Sequence, residues 1–434
     1  MRVKIEKLVY GGEGLAHENS ETVFVPFVLP GEEVEVQIVE RKKKFVRGEA
    51  QQIITASADR IRPRCPHFGI CGGCDYQHIP YEVHLHFKEQ ILRETLRRLG
   101  RTDWQGPITI HASPPWQYRN RAQWKIQAAE SGCSGQKDAA TSRIVYFRAR
   151  SSVLCPVEQC PILSPGLFAA FQSLRNALEH GKLSPLVREV EAFDNADGKS
   201  LLLSVTCASL PRASDAMAQE ILAAVPLATS LLLRDIPGER MALHGPGSLK
   251  YTVGRNAFQV GHLSFFQVNR FLIEEMTSLV ATSAGTGELA FDLYAGVGLF
   301  AVSLAEHFSH VDAVEADPAS ARDLERNASI HGNVRTHNDA AEGFLSARKR
   351  KHDAGCPEAI VVDPPRAGLE EGALRQIIAL RPQRILYVSC DPSTLARDLA
   401  KLCAQAYTLQ ELHLLDMFPQ TYHIESFARL ERAP

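Results

Sequence analysis

Leu289-Ala290-Phe291-Asp292-Leu293-Tyr294-Ala295-Gly296-Val297-Gly298 is a short apolar run that breaks into a pair of glycines. Three similar runs follow: Val311-Asp312-Ala313-Val314, Ala359-Ile360-Val361-Val362 and Arg384-Ile385-Leu386-Tyr387-Val388. Segments of helical length separate them, and such alternation predicts βαβ units around a largely parallel sheet. The fold class read from the chain is therefore α/β after about residue 255. Ligands of an open α/β sheet sit outside the carboxyl ends of its strands. Those ends are polar here: Gly296 and Gly298 after the first run, Glu315 after the second, Asp363-Pro364-Pro365-Arg366 after the third and Ser389-Cys390-Asp391-Pro392 after the fourth.

Glycines at a strand-to-helix turn let the backbone approach a ligand, and an acidic residue about twenty positions later sits at ribose-hydroxyl reach. Gly296, Gly298 and Glu315 fit that spacing. The third glycine of the dinucleotide pattern is missing, because Phe300-Ala301 follow Leu299. A nucleoside without phosphates is the better match, and S-adenosylmethionine is the common one.

A thiol at a strand end, ahead of the expected helix Ser393-Thr394-Leu395-Ala396-Arg397-Asp398-Leu399, is expected to be acidified by that helix's N-terminus and by Arg397. An isolated cysteine is ordinarily a small buried apolar residue, so Cys390 needs companions. Residues 411–417 and 426–430 read as two strands whose link, Phe418-Pro419-Gln420-Thr421-Tyr422-His423, is too short for a parallel crossover. The last strand must then run antiparallel, and its start, His423-Ile424-Glu425-Ser426, falls at the edge that carries Cys390 if its neighbour is parallel to the rest. An exposed strand-end glutamate is ordinarily solvated; facing a thiol, Glu425 acquires a use.

Uracil C5 is too poor a nucleophile to take a methyl group directly. A thiolate adding at C6 makes C5 nucleophilic, and a base must then remove the C5 proton so that the thiol leaves. Cys390 and Glu425 suit those two roles on a base that is flipped out or unpaired.

Residues 1–58 read as short alternating strands, Val3–Leu8, Thr22–Val25 and Val34–Val39, with turn signals at Gly11-Gly12-Glu13-Gly14 and Pro30-Gly31, a pattern suited to a small oligonucleotide-binding barrel. Arg41-Lys42-Lys43-Lys44-Phe45 sets basic residues beside an aromatic, as a surface for phosphates and stacked bases would, or as a solvated hairpin tip would. Tyr81 to Leu99 has helical period, and the stretch after it is rich in expected strands.

Cys65, Cys71 and Cys74 fall within ten residues, a metal-site spacing one ligand short of four. Cys155 and Cys160 are the candidates for the fourth, and spacing leaves zinc and an iron–sulfur cluster both open. Ten cysteines without an apolar leader argue for reduced thiols and a cytoplasmic chain, and no run approaches the roughly 18 apolar residues of a membrane span. A net charge of −2 leaves any RNA binding to local basic patches.

With these motifs in their order, together with Phe266-Gln267-Val268-Asn269, the chain resembles the RNA uracil-C5 methyltransferase family over nearly its whole length. The likeness is to the branch that acts on 23S ribosomal RNA and carries a TRAM domain and a [4Fe-4S] cluster. It implies a TRAM barrel at 1–58, a β-rich central domain at 59–83 with 116–252, and a Rossmann-like S-adenosylmethionine-dependent methyltransferase domain at 84–115 with 253–434. It implies Cys390 as nucleophile, Glu425 as base, and Cys65, Cys71, Cys74 and Cys160 as cluster ligands, since Gln159-Cys160-Pro161 matches the family's context. Gln267, Tyr294, Glu315, Asp339 and Asp363 would surround the methyl donor and target base, with Phe265 stacking on the uracil. Structured RNA is the implied partner, 23S RNA foremost with the tRNA T loop as the alternative, acted on by a monomer with no obligate protein partner. Asp391 stands where the family often has asparagine, and its side chain is expected to face away from the thiol. Amino-group methylation would favour Asn-Pro-Pro-aromatic at 363–366 and leaves Cys390 without a use; an inactive iron–sulfur RNA-binding protein is the non-enzymatic alternative.

Overall fold

The computed structural model describes residues 1–128, 142–350, 355–405 and 407–433. Six strands form the N-terminal barrel: β1 (Arg2–Lys4), β2 (Lys7–Val9), β3 (Glu13–Glu18), β4 (Glu21–Pro26), β5 (Glu33–Arg41) and β6 (Phe45–Thr55). They pair in the order β1-β5-β6-β4-β3-β2 around a core of small β-branched side chains such as Val23, Val25, Val34 and Val46. The run expected as one strand, Val3–Leu8, is two. It is interrupted where Ile5 N–H donates to the Glu32 carbonyl and Glu6 N–H to the Leu15 carbonyl, so the chain corners between two partners. The basic run is the exposed tip joining β5 to β6; Arg41 pairs with Glu21, Lys42 with Glu40, and the Arg47 guanidinium lies over the Phe45 ring.

Helix α1 (Tyr81–Gly100) and strand β7 (Thr109–His111) come next, and both pack into the C-terminal layer. The middle of the chain is a seven-stranded sheet of β8 (Arg121–Gln127), β9 (Arg143–Phe147), β10 (Leu154–Pro156), β11 (Val187–Asp194), β12 (Leu201–Cys207), β13 (Ala228–Asp235) and β14 (Met241–His244). Helices α2 (Pro165–Glu179) and α3 (Asp215–Ala224) share its core with Trp124 and Phe171. A separate hairpin, β15 (Ser248–Val253) and β16 (Asn256–Gly261), packs its Leu249, Tyr251, Phe258 and Val260 into the C-terminal core.

The C-terminal layer is built from α4 (Ile273–Ala284), β17 (Gly287–Leu293), α5 (Leu299–Leu304), β18 (Phe308–Glu315), α6 (Pro318–Ala328), β19 (Val334–Asn338), α7 (Ala341–Arg350), β20 (Ala359–Val362), α8 (Glu371–Leu380), β21 (Arg384–Ser389), α9 (Pro392–Cys403), β22 (Tyr407–Leu415) and β23 (Glu425–Arg432). The sheet order is β19-β18-β17-β20-β21-β23-β22-β7. The expected α/β architecture is found: β19 through β21 are mutually parallel, one face covered by α1, α7, α8 and α9 and the other by α4, α5 and α6. Gly100 makes the α1–α9 contact possible, since a side chain there would meet the Ala396 carbonyl oxygen at 2.6 Å. Strand β23 inserts between β21 and β22 and runs antiparallel to both. Among the described residues no helix is long and apolar enough to cross a membrane.

The link from β22 to β23 is pinned from α1. Lys88 is wholly buried, and its Nζ donates to Asp416 Oδ1 at 2.5 Å and to the Phe418 carbonyl at 3.0 Å, with the His84 ring 3.3 Å from Asp416 Oδ2. Burial pushes the Asp416 carboxyl up, but the Lys88 ammonium and the His84 contact outweigh it and hold the group down at about 2. Leaving one partner of such a pair alone strands a buried charge. Asp416→Asn should therefore cost about 3–5 kcal/mol, read as a lower urea midpoint for the C-terminal unfolding transition, and Lys88→Met added to it should recover part of the loss.

Candidate active site

Strand β21 ends at Ser389, whose antiparallel partner on β23 is Ser426. The next residues outward are Cys390 on one strand and Glu425 on the other, so the register sets thiol and carboxyl side by side at the sheet edge. Burial pushes the Cys390 thiol up to about 12, and Glu425 and then Asp363 add to the push, opposed by Arg366. Burial followed by repulsion from Asp363 holds the Glu425 carboxyl well above the usual carboxylate range, again against Arg366. Asp363 itself is raised by burial to about 7, and Gln267 Nε2 donates to its Oδ2 at 3.3 Å. Cys390, Glu425, Asp363 and Gln267 thus form one cluster.

The glycine turn adjoins it. Tyr294, Gly296 and Gly298 all have positive φ, at 64°, 56° and 93°. Gly298 lies against α6, where a side chain would meet Leu324 at 2.8 Å, so only glycine fits without a shift. Glu315 holds the turn: its two carboxylate oxygens accept Gly296 N–H at 2.8 Å and Asp317 N–H at 2.7 Å. Asp339, one residue past β19, is exposed and accepts Ala340 N–H at the start of α7. The Tyr294 hydroxyl is buried without a partner. Phe265 is 59% exposed, on the segment before α4 and two residues ahead of Gln267.

Two features of this edge escaped the sequence reading. Asp292, the penultimate residue of β17, is fully buried among the described residues without a side-chain partner, its carboxyl turned to the Ala301 N–H in the first turn of α5. Burial, with Asp363 and Glu315 nearby, keeps it well above its ordinary range. A carboxylate inside the apolar run Phe291-Asp292-Leu293 was itself the signal, since such groups are rarely buried unpaired. Arg366 is the second: its guanidinium charge offsets the upward push on both Cys390 and Glu425. The carboxylates of Asp292, Glu315, Asp339 and Asp363 stand at the ends of four neighbouring strands. Such an edge repels phosphates and suits a ligand carrying positive charge, as S-adenosylmethionine does at its sulfonium and amino groups.

The expected acidification of Cys390 is not found. Arg397 is turned away, its guanidinium on Asp398 and on the carbonyls of Ala367 and Leu369. Asp398 also accepts Leu369 N–H and the Tyr387 hydroxyl, so this group fastens the loop after Asp363-Pro364-Pro365-Arg366. The first N–H groups of α9 are taken by Asp391, whose Oδ1 accepts Ser393 N–H at 2.8 Å and Thr394 N–H at 3.1 Å. Its Oδ2 accepts the hydroxyl of Tyr10 from the barrel at 3.2 Å, and the Tyr10 ring meets Tyr422 edge-on. The helix dipole is spent on the capping carboxylate rather than on the thiol.

A second cluster lies in a cavity of about 230 Å³ lined by Cys65, Cys71, Cys74 and Cys160, with Tyr146 and Arg119 in its wall. Cys155 is not among its lining residues; its thiol is buried in the core of the central sheet. Burial raises all four thiols, Cys71 to about 12 and Cys160 to about 11; neighbouring thiols add to the push on Cys71, Cys74 and Cys160, and Cys155 is one of those acting on Cys71 although it does not line the cavity. Among the described residues no three His, Cys, Asp or Glu side chains form a ready site for a single metal ion.

Residues 249–433 match the family described as tRNA (Uracil-5-)-methyltransferase, and residues 1–50 match the TRAM domain. A Shewanella woodyi protein named 23S rRNA (uracil(1939)-C(5))-methyltransferase is 32% identical over 99% of this chain and 95% of its own. An Aquifex aeolicus protein named an uncharacterized RNA methyltransferase is 31% identical over 99% and 98%.

The chain belongs to the RNA uracil-C5 methyltransferase family.

The crystal structure of the Pyrococcus abyssi tRNA (uracil-54, C5)-methyltransferase with S-adenosyl-L-homocysteine shares its fold, with a TM-score of 0.74 at 24% identity over 99% of this chain and 100% of that one. As a member of the family the chain is an S-adenosylmethionine-dependent RNA (uracil-C5) methyltransferase with a TRAM domain. In this methyltransferase Asp391 adds to the negative charge facing the thiol. Asparagine caps a helix as well as aspartate does. Asp391→Asn should thus leave the fold intact and move Cys390 alkylation by iodoacetamide to slightly lower pH; a midpoint that stays or rises would show that Asp391 does not bear on the thiol.

Proposed function

We propose that this enzyme methylates C5 of a uridine in 23S ribosomal RNA, with Cys390 as covalent nucleophile and Glu425 as the base. What carries the reading is the pairing of β21 with β23, which sets a thiol and a buried carboxyl together beside an acidic, glycine-lined edge. The Cys390 sulfur forms a bond to C6, and the displaced electrons make C5 nucleophilic. C5 takes the methyl group that bound S-adenosylmethionine supplies, the methyl–sulfur bond breaking to leave S-adenosylhomocysteine. Glu425 then takes the C5 proton, the C5–C6 double bond re-forms and the C6–sulfur bond breaks, returning the thiolate. Arg366 steadies the negative charge that passes through the cluster. A base paired in a stack is out of reach from both faces, so the uridine enters unpaired or flipped, with Phe265 as its stacking surface.

Gln267, Tyr294, Glu315, Asp339 and Asp363, joined by Asp292, hold the methyl donor. Asp292, buried behind the glycine turn and turned to the Ala301 N–H, adds an acidic group to the floor of that site. Support for ribosomal RNA comes from the higher identity to the 23S enzyme, 32% against 24% for the transfer-RNA enzyme that is alike over as much of the chain. Mapping 5-methyluridine in RNA from cells that lack the gene separates the two: loss from 23S RNA is expected, and loss from the T loop alone would move the assignment to tRNA.

Cys65, Cys71, Cys74 and Cys160 hold a [4Fe-4S] cluster. Four thiols around one cavity of about 230 Å³ fit a polynuclear group better than one ion, whose ligands would have to meet at about 2.3 Å. Iron's positive charge offsets the burial that otherwise keeps these thiols protonated. Anaerobically purified protein should contain iron and acid-labile sulfide; Cys160→Ser should lose both and Cys155→Ser should keep them. A colourless protein with stoichiometric zinc would refute the assignment.

For the chemistry, Cys390→Ala should abolish transfer of labelled methyl to uridine. Glu425→Gln should build up a covalent protein–RNA adduct on denaturing gels, since methylation proceeds while elimination stalls. Intact RNA binding without such an adduct would show that Glu425 is not the base.

A further inference from the structure

The link between β22 and β23 is held by groups from distant parts of the chain, and its centre is Gln420. This residue is buried and has φ of 68°, a left-handed conformation that side chains other than glycine adopt only where the surroundings impose it. The imposing contacts come from the residues just after Cys74. Both Asp75 N–H and Tyr76 N–H donate to the Gln420 carbonyl, at 2.9 and 3.0 Å, and Tyr422 N–H donates back to Asp75 Oδ2 at 3.4 Å. Tyr118 OH closes on the Pro419 carbonyl at 3.0 Å. The same short segment reaches the thiol cavity: Gln77 lines it and accepts Cys65 N–H on Oε1 at 2.9 Å. One stretch, Cys74–Gln77, therefore touches the cysteine centre at one end and the loop that delivers Glu425 at the other.

We propose that Cys74–Gln77 and Gln420 are positioning residues for the base: the cysteine loop holds Gln420 left-handed and so fixes how far Glu425 reaches toward the C5 proton. This rests on Glu425 being the base. The elimination step depends most on that reach, because the hydrogen bonds of Asp75 and Tyr76 fall on the link that leads to Glu425, whereas Cys390 is carried by β21 and α9. Loosening the loop should thus spare attack and methyl transfer but slow the passage of the C5 proton to Glu425 and the breaking of the C6–sulfur bond.

Three variants of the full-length protein test this, assayed with an RNA hairpin containing the target uridine. Gln420→Val, whose branched side chain disfavours positive φ, should lengthen the lifetime of the covalent adduct about tenfold, the size expected when a left-handed residue is no longer tolerated. Gln420→Gly, free to adopt that conformation, should release the adduct at close to the unaltered rate. Cys74→Ser should behave like Gln420→Val and should also speed amide hydrogen exchange at Tyr422, a readout independent of turnover. If Gln420→Val and Cys74→Ser release the adduct normally while Glu425→Gln traps it, the positioning role is wrong and the base assignment stands. If Glu425→Gln traps nothing, the base assignment fails and the positioning role fails with it.

Discussion

The antiparallel entry of β23 between β21 and β22 is the constraint on which the rest depends. All strands from β19 to β21 point their carboxyl ends at one edge, so a further parallel strand would bring another carboxyl end there. A strand running the other way brings its beginning instead. Glu425 reaches the thiol because it is the first residue of its strand, and Cys390 reaches it because it is the first residue past the end of its own. The sheet's hydrogen bonds fix this meeting more firmly than a loop would, since a slip of one residue would turn every side chain of β23 to the opposite face.

The electrostatics of that edge follow from what is buried together. Asp292, Asp363, Glu425 and the Cys390 thiol are each pushed up by burial, and Arg366 opposes that push at Cys390 and Glu425. The site without its ligands is therefore poorly disposed to act. Positive charge brought by the methyl donor changes the balance in the direction the chemistry needs, because an opposite charge in a low-dielectric site favours the ionised forms of thiol and carboxyl alike.

The N-terminal parts of the chain brace this edge. Helix α1 contributes Lys88 to Asp416, the barrel contributes the Tyr10 hydroxyl to Asp391, and the cysteine loop contributes two amides to Gln420. Each contact falls on the residues that flank the thiol or the carboxyl rather than on those groups themselves. Asp391 shows the benefit: its charge opposes thiolate formation, yet its oxygens are occupied by two helix amides and a phenol, which turns a liability into a cap.

Local chemistry was legible in the chain. Apolar period and glycine turns marked the parallel strands, polar residues at the run ends marked the edge, and a short link after residue 417 required the final strand to reverse, because connection length limits topology whatever the packing. What depended on residues far apart in the chain was not legible: Arg397 was misread because Asp398 and the Ala367 carbonyl capture it, and the fourth cysteine of the cavity could not be chosen by spacing, since only the packed central sheet sends Cys155 into its core and leaves Cys160 on the wall. Asp292 was not legible because its burial behind the glycine turn, against α5, comes from tertiary packing. Sequence periodicity encodes which face a residue takes on its own element; which charges then share a low-dielectric space is set by contacts such as Lys88 with Asp416, 328 residues apart, that form only when the layers close.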